Sequence, residues 1–369
     1  MIGGSTPRPN IAGGMDQLDS PVHSARQIAD WFITKFNNPH RPLGTVEMLL
    51  SCDGNQSYTR PDGTEFDVDL AELDNIVTGG LEWRDRGDAN PEDMLVFFFS
   101  GHGIASGSRV VLLPRDYGTL AARPLRKAID FTAMVEGMKC CKAGLQLYFV
   151  DACRVASEVL LQQATDTGDV IVPTSIPVNK SWQGSVYYAS LGGRPAFGQD
   201  GDASLFTKAL IKSLKGPAAS DAEGPNDWRI TTTKLSEALG HFATAMADPI
   251  YGPAQKPQTG SQTLFDFHYM TDVPIVPIYV QPSWHQGAQP PADAQRFSVS
   301  LYGMPVVEWG APWHHNEQCN WGPDRFESWI EPGHQYTVNL SFNEGDPVSA
   351  MSRHVNPVYT VFKLDRNDG

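Results

Sequence analysis

The sequence predicts an α/β domain, with a mostly parallel sheet flanked by helices, followed by a small all-β domain. Short apolar runs at 94–99 and 147–150 are typical of buried parallel strands, and helical patterns lie between such runs. Strands that alternate with helices in this way predict βαβ units. Beyond residue 296, apolar and polar residues alternate instead, as they do in strands with one buried face.

Each predicted element has a residue pattern of its own. Residues 20–36 begin with Ser-Pro and carry Ala25, Ile28 and Phe32 on one face, which predicts an amphipathic helix. Apolar residues at helical spacing predict further helices at 65–83, 129–141, 156–163, 204–214 and 232–246. Short apolar runs predict strands at 45–50, 109–114 and 185–190.

The chain divides into two predicted domains. Residues 1–270 form the α/β domain, 271–295 a proline-rich linker, and 296–369 a small β-sandwich-like domain. Within the first domain, 164–184 is a long polar loop, and loops of this length are commonly functional or disordered. Tryptophans of the small domain are interpreted as its core rather than as a carbohydrate platform: Trp309, Trp313, Trp321 and Trp329.

Charge and cysteine content exclude several classes of function. The chain has 369 residues, a formal net charge of −14 and a pI of about 5.1, so it lacks the basic surface that nucleic-acid binding needs. Five cysteines without a framework pattern favour a reducing compartment. Neither a signal peptide nor an apolar run of bilayer length is evident. We expect a cytoplasmic protein with no nucleic-acid or membrane partner.

Two apolar strands each end at one reactive residue. His102 follows the strand at 94–99, and Cys153 follows the strand at 147–150, 51 positions further along the chain. A helix and its loops fit in this interval, so the two strands can be neighbours whose carboxyl ends meet at one edge of the sheet. A thiolate there attacks a carbonyl while an imidazole protonates the leaving amine, and the backbone N–H groups of Gly103 and Cys153 face the developing oxyanion. Two ordinary buried residues are the alternative.

The motifs around this pair resemble those of caspase-like cysteine peptidases, which include caspases, metacaspases and bacterial orthocaspases. Ser-Gly-His-Gly at 100–103 and Asp-Ala-Cys-Arg at 151–154 are similar to the two signatures of the family, in the same order and spacing. Further similarity lies at 18–28, 189–196, 204–210 and 255–257, so the resemblance covers about residues 1–270. It implies a caspase-like fold and a thiol protease that uses a Cys153–His102 dyad.

The resemblance also implies a specificity. Metacaspases and orthocaspases, which cut after Arg or Lys, carry Asp two residues before the cysteine, as Asp151 stands here, whereas Asp-specific caspases carry Gln. A buried carboxylate forms a charge-assisted pair with a guanidinium or ammonium group. Ser100 matches the family's serine that lines the same S1 pocket. A purely structural Asp151 that caps a neighbouring backbone group is the alternative.

Two metacaspase features have no counterpart in this sequence. The second acidic residue of the S1 pocket falls on Ser24, with Asp16 and Asp19 close by, and the calcium-binding acid falls on Leu160. We therefore expect no calcium dependence, no other metal and no cofactor. The run His-His-Asn-Glu-Gln-Cys at 314–319 lacks the paired spacing of a structural zinc site.

The expected function is that of a cysteine endopeptidase that cleaves proteins after Arg or Lys, made as a zymogen and acting in a bacterial defence or cell-death-like pathway. The loop 164–184 lies where caspases are cleaved, and Lys180, its single basic residue, is the expected processing site. Protein substrates with a basic P1 residue are the expected partners, with an activating protease or regulator. An Asp-specific caspase and a non-catalytic caspase-like scaffold are the alternatives.

Overall fold

The structure, a computed structural model, describes most of the chain. The described residues are 2–5, 18–51, 57–120, 123–153, 155–156, 168–174, 178–190, 201–220, 227–246, 257–282, 294–310, 319–321, 325–342 and 349–364. Among the helices of this part, none combines the length and the apolarity that crossing a membrane requires.

The described residues form five α-helices. They are α1 (Ser20–Thr34), α2 (Leu73–Ala89), α3 (Phe131–Met138), α4 (Leu205–Leu214) and α5 (Thr232–Met246). The predicted apolar stripe of α1 is confirmed, because Ala25, Ile28 and Phe32 are buried. Helix α3 begins after Asp130, whose side chain accepts a hydrogen bond from the backbone N–H of Ala133 and so caps the first turn.

The strands alternate with these helices and then follow one another. In chain order they are β1 (Ile2–Ser5), β2 (Met48–Leu50), β3 (Ser57–Thr59), β4 (Glu65–Asp67), β5 (Asp69–Leu70), β6 (Met94–Gly101), β7 (Gly103–Ser106), β8 (Arg109–Leu112), β9 (Ile129–Asp130), β10 (Leu145–Ala152), β11 (Val155–Ala156), β12 (Gln183–Tyr188), β13 (Ala219–Ser220), β14 (Arg229–Thr231), β15 (Gln258–Thr259), β16 (Asp266–Tyr269), β17 (Val276–Pro282), β18 (Ala294–Leu301), β19 (Met304–Gly310), β20 (Cys319–Trp321), β21 (Phe326–Ile330), β22 (Gln335–Phe342), β23 (Ser349–His354) and β24 (Thr360–Leu364).

A seven-stranded sheet carries the predicted βαβ architecture. Its order is β15-β12-β10-β6-β1-β2-β5, and every pair is parallel except the pair of β12 with the edge strand β15. The central strands β6 and β10 pair from Met94 opposite Leu145 to Gly101 opposite Ala152. Both are longer than the runs predicted at 94–99 and 147–150 and are buried along nearly their whole length, as central strands of a parallel sheet are.

The core beside this sheet contains one fully bonded buried amide. Gln146 donates from Nε2 to the carbonyl oxygens of Met138 and Ala143, and its Oε1 accepts from Tyr148 Oη and Trp182 Nε1. Burial of a polar side chain costs little free energy of folding only when such hydrogen-bond partners are present. The network ties the start of β10 to α3 and to the segment that precedes β12.

Several predicted element boundaries differ from the structure, and part of one predicted loop is buried. The helix predicted at 65–83 begins only at Leu73, because 65–67 pairs antiparallel with β3 as β4. Gly63 makes the tight turn between them, at a φ of 86° that favours glycine. In the loop predicted at 164–184, Ile171 and Val172 are buried in the main core, and Asp169 pairs through its backbone with the segment around Ile129. Of the helix predicted at 156–163, residues 157–163 lie outside the described residues.

Two four-stranded sheets follow the α/β fold. Their orders are β20-β21-β17-β24 and β19-β18-β22-β23, and inner residues of both sheets, such as Val280 and Phe297, form one apolar cluster. Strand β17 lies within the stretch predicted as a linker at 271–295. Burial of Val276, Ile278 and Val280 outweighs the ladder hydrogen bond that the intervening proline cannot donate.

The chain divides into two compact units, Met1–Lys212 with Leu239–His268, and Ser213–Ala238 with Tyr269–Gly369. The second unit therefore contains a segment, 213–238, that the sequence assigns to the first domain. The predicted domain boundaries, at 270 and 296, remain a prediction.

Candidate active site

His102 and Cys153 follow directly on the two central strands. In the pairing of β6 with β10, Asp151 lies opposite Ser100, and Ala152 lies opposite Gly101. The same register resumes where Val155 of β11 lies opposite Ile104 of β7. Carried through the two positions between these pairs, the register sets His102 beside Cys153 at the carboxyl edge of the sheet. Both side chains are half-buried.

Gly103 lies so close to the second strand end that a side chain would not fit. A Cβ atom there would lie 2.7 Å from the carbonyl oxygen of Cys153, 3.1 Å from Ala152 Cβ and 3.4 Å from the carbonyl oxygen of Val111. Carbon and oxygen atoms normally approach no closer than about 3.3 Å. Glycine is therefore required for the backbones on either side of the pair to approach this closely.

Asp151 is buried in a cluster of hydroxyl groups. Its Oδ2 atom accepts hydrogen bonds from Ser100 Oγ at 3.1 Å, from Thr207 Oγ1 at 2.9 Å and from Ser204 Oγ. The side chain is 4% exposed. Burial raises the pKa of Asp151, and the hydrogen bonds from Ser204, Thr207 and Ser100 oppose that rise.

Two of these hydroxyls come from the start of α4. Ser204 precedes the helix, and its Oγ accepts from the backbone N–H of Thr207 at 3.0 Å, which is the geometry of an N-cap. The positive end of the helix dipole therefore lies close to the carboxylate. The Oγ of Ser24 in α1 accepts from the backbone N–H of Ser204 at 3.0 Å, so Ser24 joins the edge of the cluster.

The sequence analysis missed Ser204 and Thr207. Serine and threonine carry little signal alone, and these residues follow Asp151 by 53 and 56 positions. Ser204 is the first residue of the helix predicted at 204–214, and a serine at such a start is an N-cap signal. Only the fold shows that this helix starts near the sheet edge. The predicted residues Ser100 and Asp151 do lie together.

Two other cysteines lie in apolar surroundings that disfavour a nucleophile. Burial raises the pKa of the Cys141 thiol to about 12 and also raises the pKa of Cys319. Because the thiolate is the reactive form, these thiols are poor nucleophiles. Cys153 is less buried than either of them.

Lys180 has an exposed side chain on an anchored turn. The Asn179 side chain donates to the carbonyl oxygens of Cys141 and Lys142 and accepts from the backbone N–H of Ser181. The indole N–H of Trp182 donates a hydrogen bond to Gln146 Oε1, and the ammonium group of Lys139 lies over the Trp182 ring. Lys180 is thus accessible, while its neighbours on both sides are held.

Within the part of the chain that the structure describes, the other candidate sites add no residues to this edge. The described residues contain no group of three or more His, Cys, Asp or Glu side chains placed to hold a metal ion. Asp16, Leu160, His314 and His315 lie outside the described residues, whereas Trp309 is buried in the apolar cluster of the two small sheets. A cavity of about 380 Å³ lies at the opposite edge of the main sheet, lined by Phe32, Trp83, Arg86 and Leu95, among others.

Comparison with known proteins connects this edge to a family. The model of the C14 peptidases, described as a caspase domain, matches residues 63–269, more than half of the chain. An uncharacterized protein of Sinorhizobium fredii, y4kE, is 29% identical over 231 residues, which cover 58% of this chain and 66% of that protein. The chain thus spans slightly less than two thirds of this relative. His102, Asp151 and Cys153 all lie within the matched region.

Proposed function

The chain belongs to the caspase domain family of C14 peptidases, and from this premise we propose that it is a cysteine endopeptidase that cleaves proteins after Arg or Lys. The observation that carries the proposal is the register of β6 with β10. It sets His102 beside Cys153 and, two residues earlier on the same strands, Ser100 opposite a buried Asp151. One sheet edge therefore brings together the proposed nucleophile, the proposed base and the carboxyl group of the proposed S1 pocket.

The proposed reaction begins with transfer of the Cys153 thiol proton to His102. The thiolate attacks the carbonyl carbon of the scissile bond, and the oxyanion accepts hydrogen bonds from the backbone N–H groups of Gly103 and Cys153. His102 then protonates the leaving amine, which leaves a thioester on Cys153. Water, deprotonated by His102, hydrolyses the thioester and restores the thiol. No cofactor takes part in these steps.

Asp151 is the proposed selector of P1. A lysine or arginine side chain that enters the pocket replaces its water shell with a charge-assisted bond to a carboxylate that the protein has already desolvated. An aspartate at P1 would instead bring a second negative charge towards the buried Asp151, and like charges repel strongly in such surroundings. This difference in charge supports the proposed preference for basic over acidic P1 residues.

Regulation and location form the remainder of the proposal. Cleavage after Lys180 would activate a zymogen, by this protein itself or by an activating protease, and the two small sheets would recruit a substrate or regulator. A defence or cell-death-like role in a bacterial cytoplasm rests on analogy with the family alone.

A panel of fluorogenic peptides that differ only at P1 tests the proposal. We expect cleavage after Arg and Lys, negligible cleavage after Asp, and no activity in Cys153→Ala. Preference for Asp would reject the role of Asp151. Inactivity towards every peptide, with no labelling of Cys153 by a thiol-reactive affinity probe, would indicate a non-catalytic scaffold.

A further inference from the structure

Three hydroxyl groups around Asp151 converge on one of its two oxygens. Ser100, Ser204 and Thr207 all donate to Oδ2, and none of the three bonds Oδ1. A carboxylate oxygen has two lone-pair sites, so three donors saturate Oδ2. A cation that approaches Asp151 finds its acceptor at Oδ1.

We propose that Ser204 and Thr207 are specificity-determining residues, which position Asp151 so that it presents one oxygen to the cationic side chain of P1. This inference rests on the proposed function, because it concerns the same S1 pocket. It assigns a role to residues outside both sequence motifs, at the N-terminus of α4. Ser204 and Thr207 act through Asp151 and do not touch the reacting atoms.

The hydroxyls take the place of a charged partner. The pKa of Asp151 is raised by burial and lowered by hydrogen bonds from the hydroxyls of Ser204, Thr207 and Ser100. Ser24, which is 0% exposed, lies at the edge of the same cluster and carries no charge. Among the described residues of this cluster, the Asp151 carboxylate, which hydroxyls and the start of a helix hold in place, is the proposed source of the negative charge.

A single available oxygen affects the choice between arginine and lysine. Arginine gains over lysine when its planar guanidinium bonds both oxygens of a carboxylate, and saturation of Oδ2 excludes that contact. A lysine ammonium group, in contrast, is a compact charge that can pair with a carboxylate through one oxygen. We expect kcat/KM values for P1 Arg and P1 Lys that differ by less than about tenfold, since the second hydrogen bond that arginine would need to exceed this ratio is worth about tenfold or more and is excluded.

Several titratable groups lie on the elements around this carboxylate, and the test has to separate them from it. They are His102 and Cys153 beyond β6 and β10, Asp19 and His23 at the start of α1, and Asp202 with Lys208 at the start of α4. The Thr207 hydroxyl donates to Asp151, so a pH effect that depends on this hydroxyl should report the titration of Asp151.

The experiment compares Thr207→Val, which keeps the side-chain shape and removes the hydroxyl, with Thr207→Ser, which keeps the hydroxyl. For P1 Arg and P1 Lys peptides, we expect Thr207→Val to lower kcat/KM about tenfold at neutral pH. The acid limb of its pH profile should move to higher pH, because removing a donor that lowers the pKa of Asp151 leaves the carboxyl protonated further up the pH scale. Thr207→Ser should retain wild-type values.

Binding of agmatine, a small guanidinium compound, separates this inference from the proposed function. Calorimetry should show agmatine bound by wild type and Thr207→Ser and bound about tenfold more weakly by Thr207→Val. Alkylation of Cys153 at wild-type rate would show that the variant is folded. A Thr207→Val enzyme with wild-type kcat/KM, pH profile and agmatine affinity would overturn the inference while leaving the peptidase intact. Agmatine binding that depends on Thr207 without any cleavage would reject the peptidase and retain the cation site.

Discussion

Replacing Gly103 by alanine tests whether the close approach of the two strand ends is needed for catalysis. The new Cβ would lie 2.7 Å from the carbonyl oxygen of Cys153, a backbone atom that cannot swing aside as a side chain does. Restoring a normal separation of about 3.3 Å requires the strand ends to part by roughly 0.6 Å. The same backbone carries His102 on one side and Cys153 on the other.

Two effects of Gly103→Ala follow, and their sizes differ. Overpacking of a buried site costs about 1–3 kcal/mol of unfolding free energy, which lowers Tm by about 2–12 °C for a domain of this size. Misplacement of catalytic groups by about 1 Å costs about a hundredfold in rate. We therefore expect kcat/KM for a P1 Arg peptide to fall about 10- to 100-fold at a temperature where the variant remains folded.

Gly240→Ala is the matched control, because a Cβ at position 240 meets no atom within 4 Å. Its location in α5 should make alanine neutral or slightly stabilising. Steady-state kinetics and thermal unfolding of both variants complete the assay. A Gly103→Ala enzyme that is as active as the Gly240→Ala control would refute the argument that this glycine sets the catalytic geometry.

The remaining predictions concern the pocket and processing. Asp151→Asn should lower kcat/KM for basic P1 peptides about 10- to 150-fold, the equivalent of about 1.5–3 kcal/mol for a hydrogen bond to a charged group. Because the folded-state pKa of Asp151 is raised, its contribution to stability is fully present below the ordinary aspartate pKa and is lost as pH rises through the folded value. Denaturant unfolding of Asp151→Asn should therefore show a smaller loss of stability between acidic and neutral pH; an unchanged pH dependence would contradict the raised pKa. Lys180→Gln should abolish any cut in the segment before β12 that Cys153→Ala also abolishes, and mass spectrometry that finds the cut elsewhere would reject Lys180 as the site.

The sequence predicted the sheet and its reactive edge because both depend on local patterns. Apolar runs before Ser-Gly-His-Gly and Asp-Ala-Cys-Arg are sufficient to place two buried strands and the polar residues that end them. The resemblance to caspase-like peptidases rests on the same two motifs, in the same order and spacing. Register then brought Asp151 opposite Ser100, which neither motif specifies alone.

The parts that the sequence did not predict depend on distant partners. Ile171 lies in a stretch rich in Thr, Asp and Gly, and only contacts with residues far away in the chain place it in the core. Close approach of Gly137 to the carbonyl oxygen of Val172 belongs to the same packing. The hydroxyl cluster is similar, because Thr207 meets Asp151 across 56 positions. Patterns within a short stretch of sequence do not show which distant residues will be in contact.

Labelling with a peptide chloromethyl ketone that carries Arg at P1 tests the central claim most directly. Peptide mapping by mass spectrometry should find one adduct per chain, on Cys153, with little reaction of Cys141 or Cys319, whose thiols burial keeps protonated. Labelling should be lost in His102→Ala and should not occur with the matched P1 Asp compound. An adduct on another cysteine, or preferential labelling by the Asp compound, would contradict the assignment of Cys153 as nucleophile and Asp151 as selector of P1.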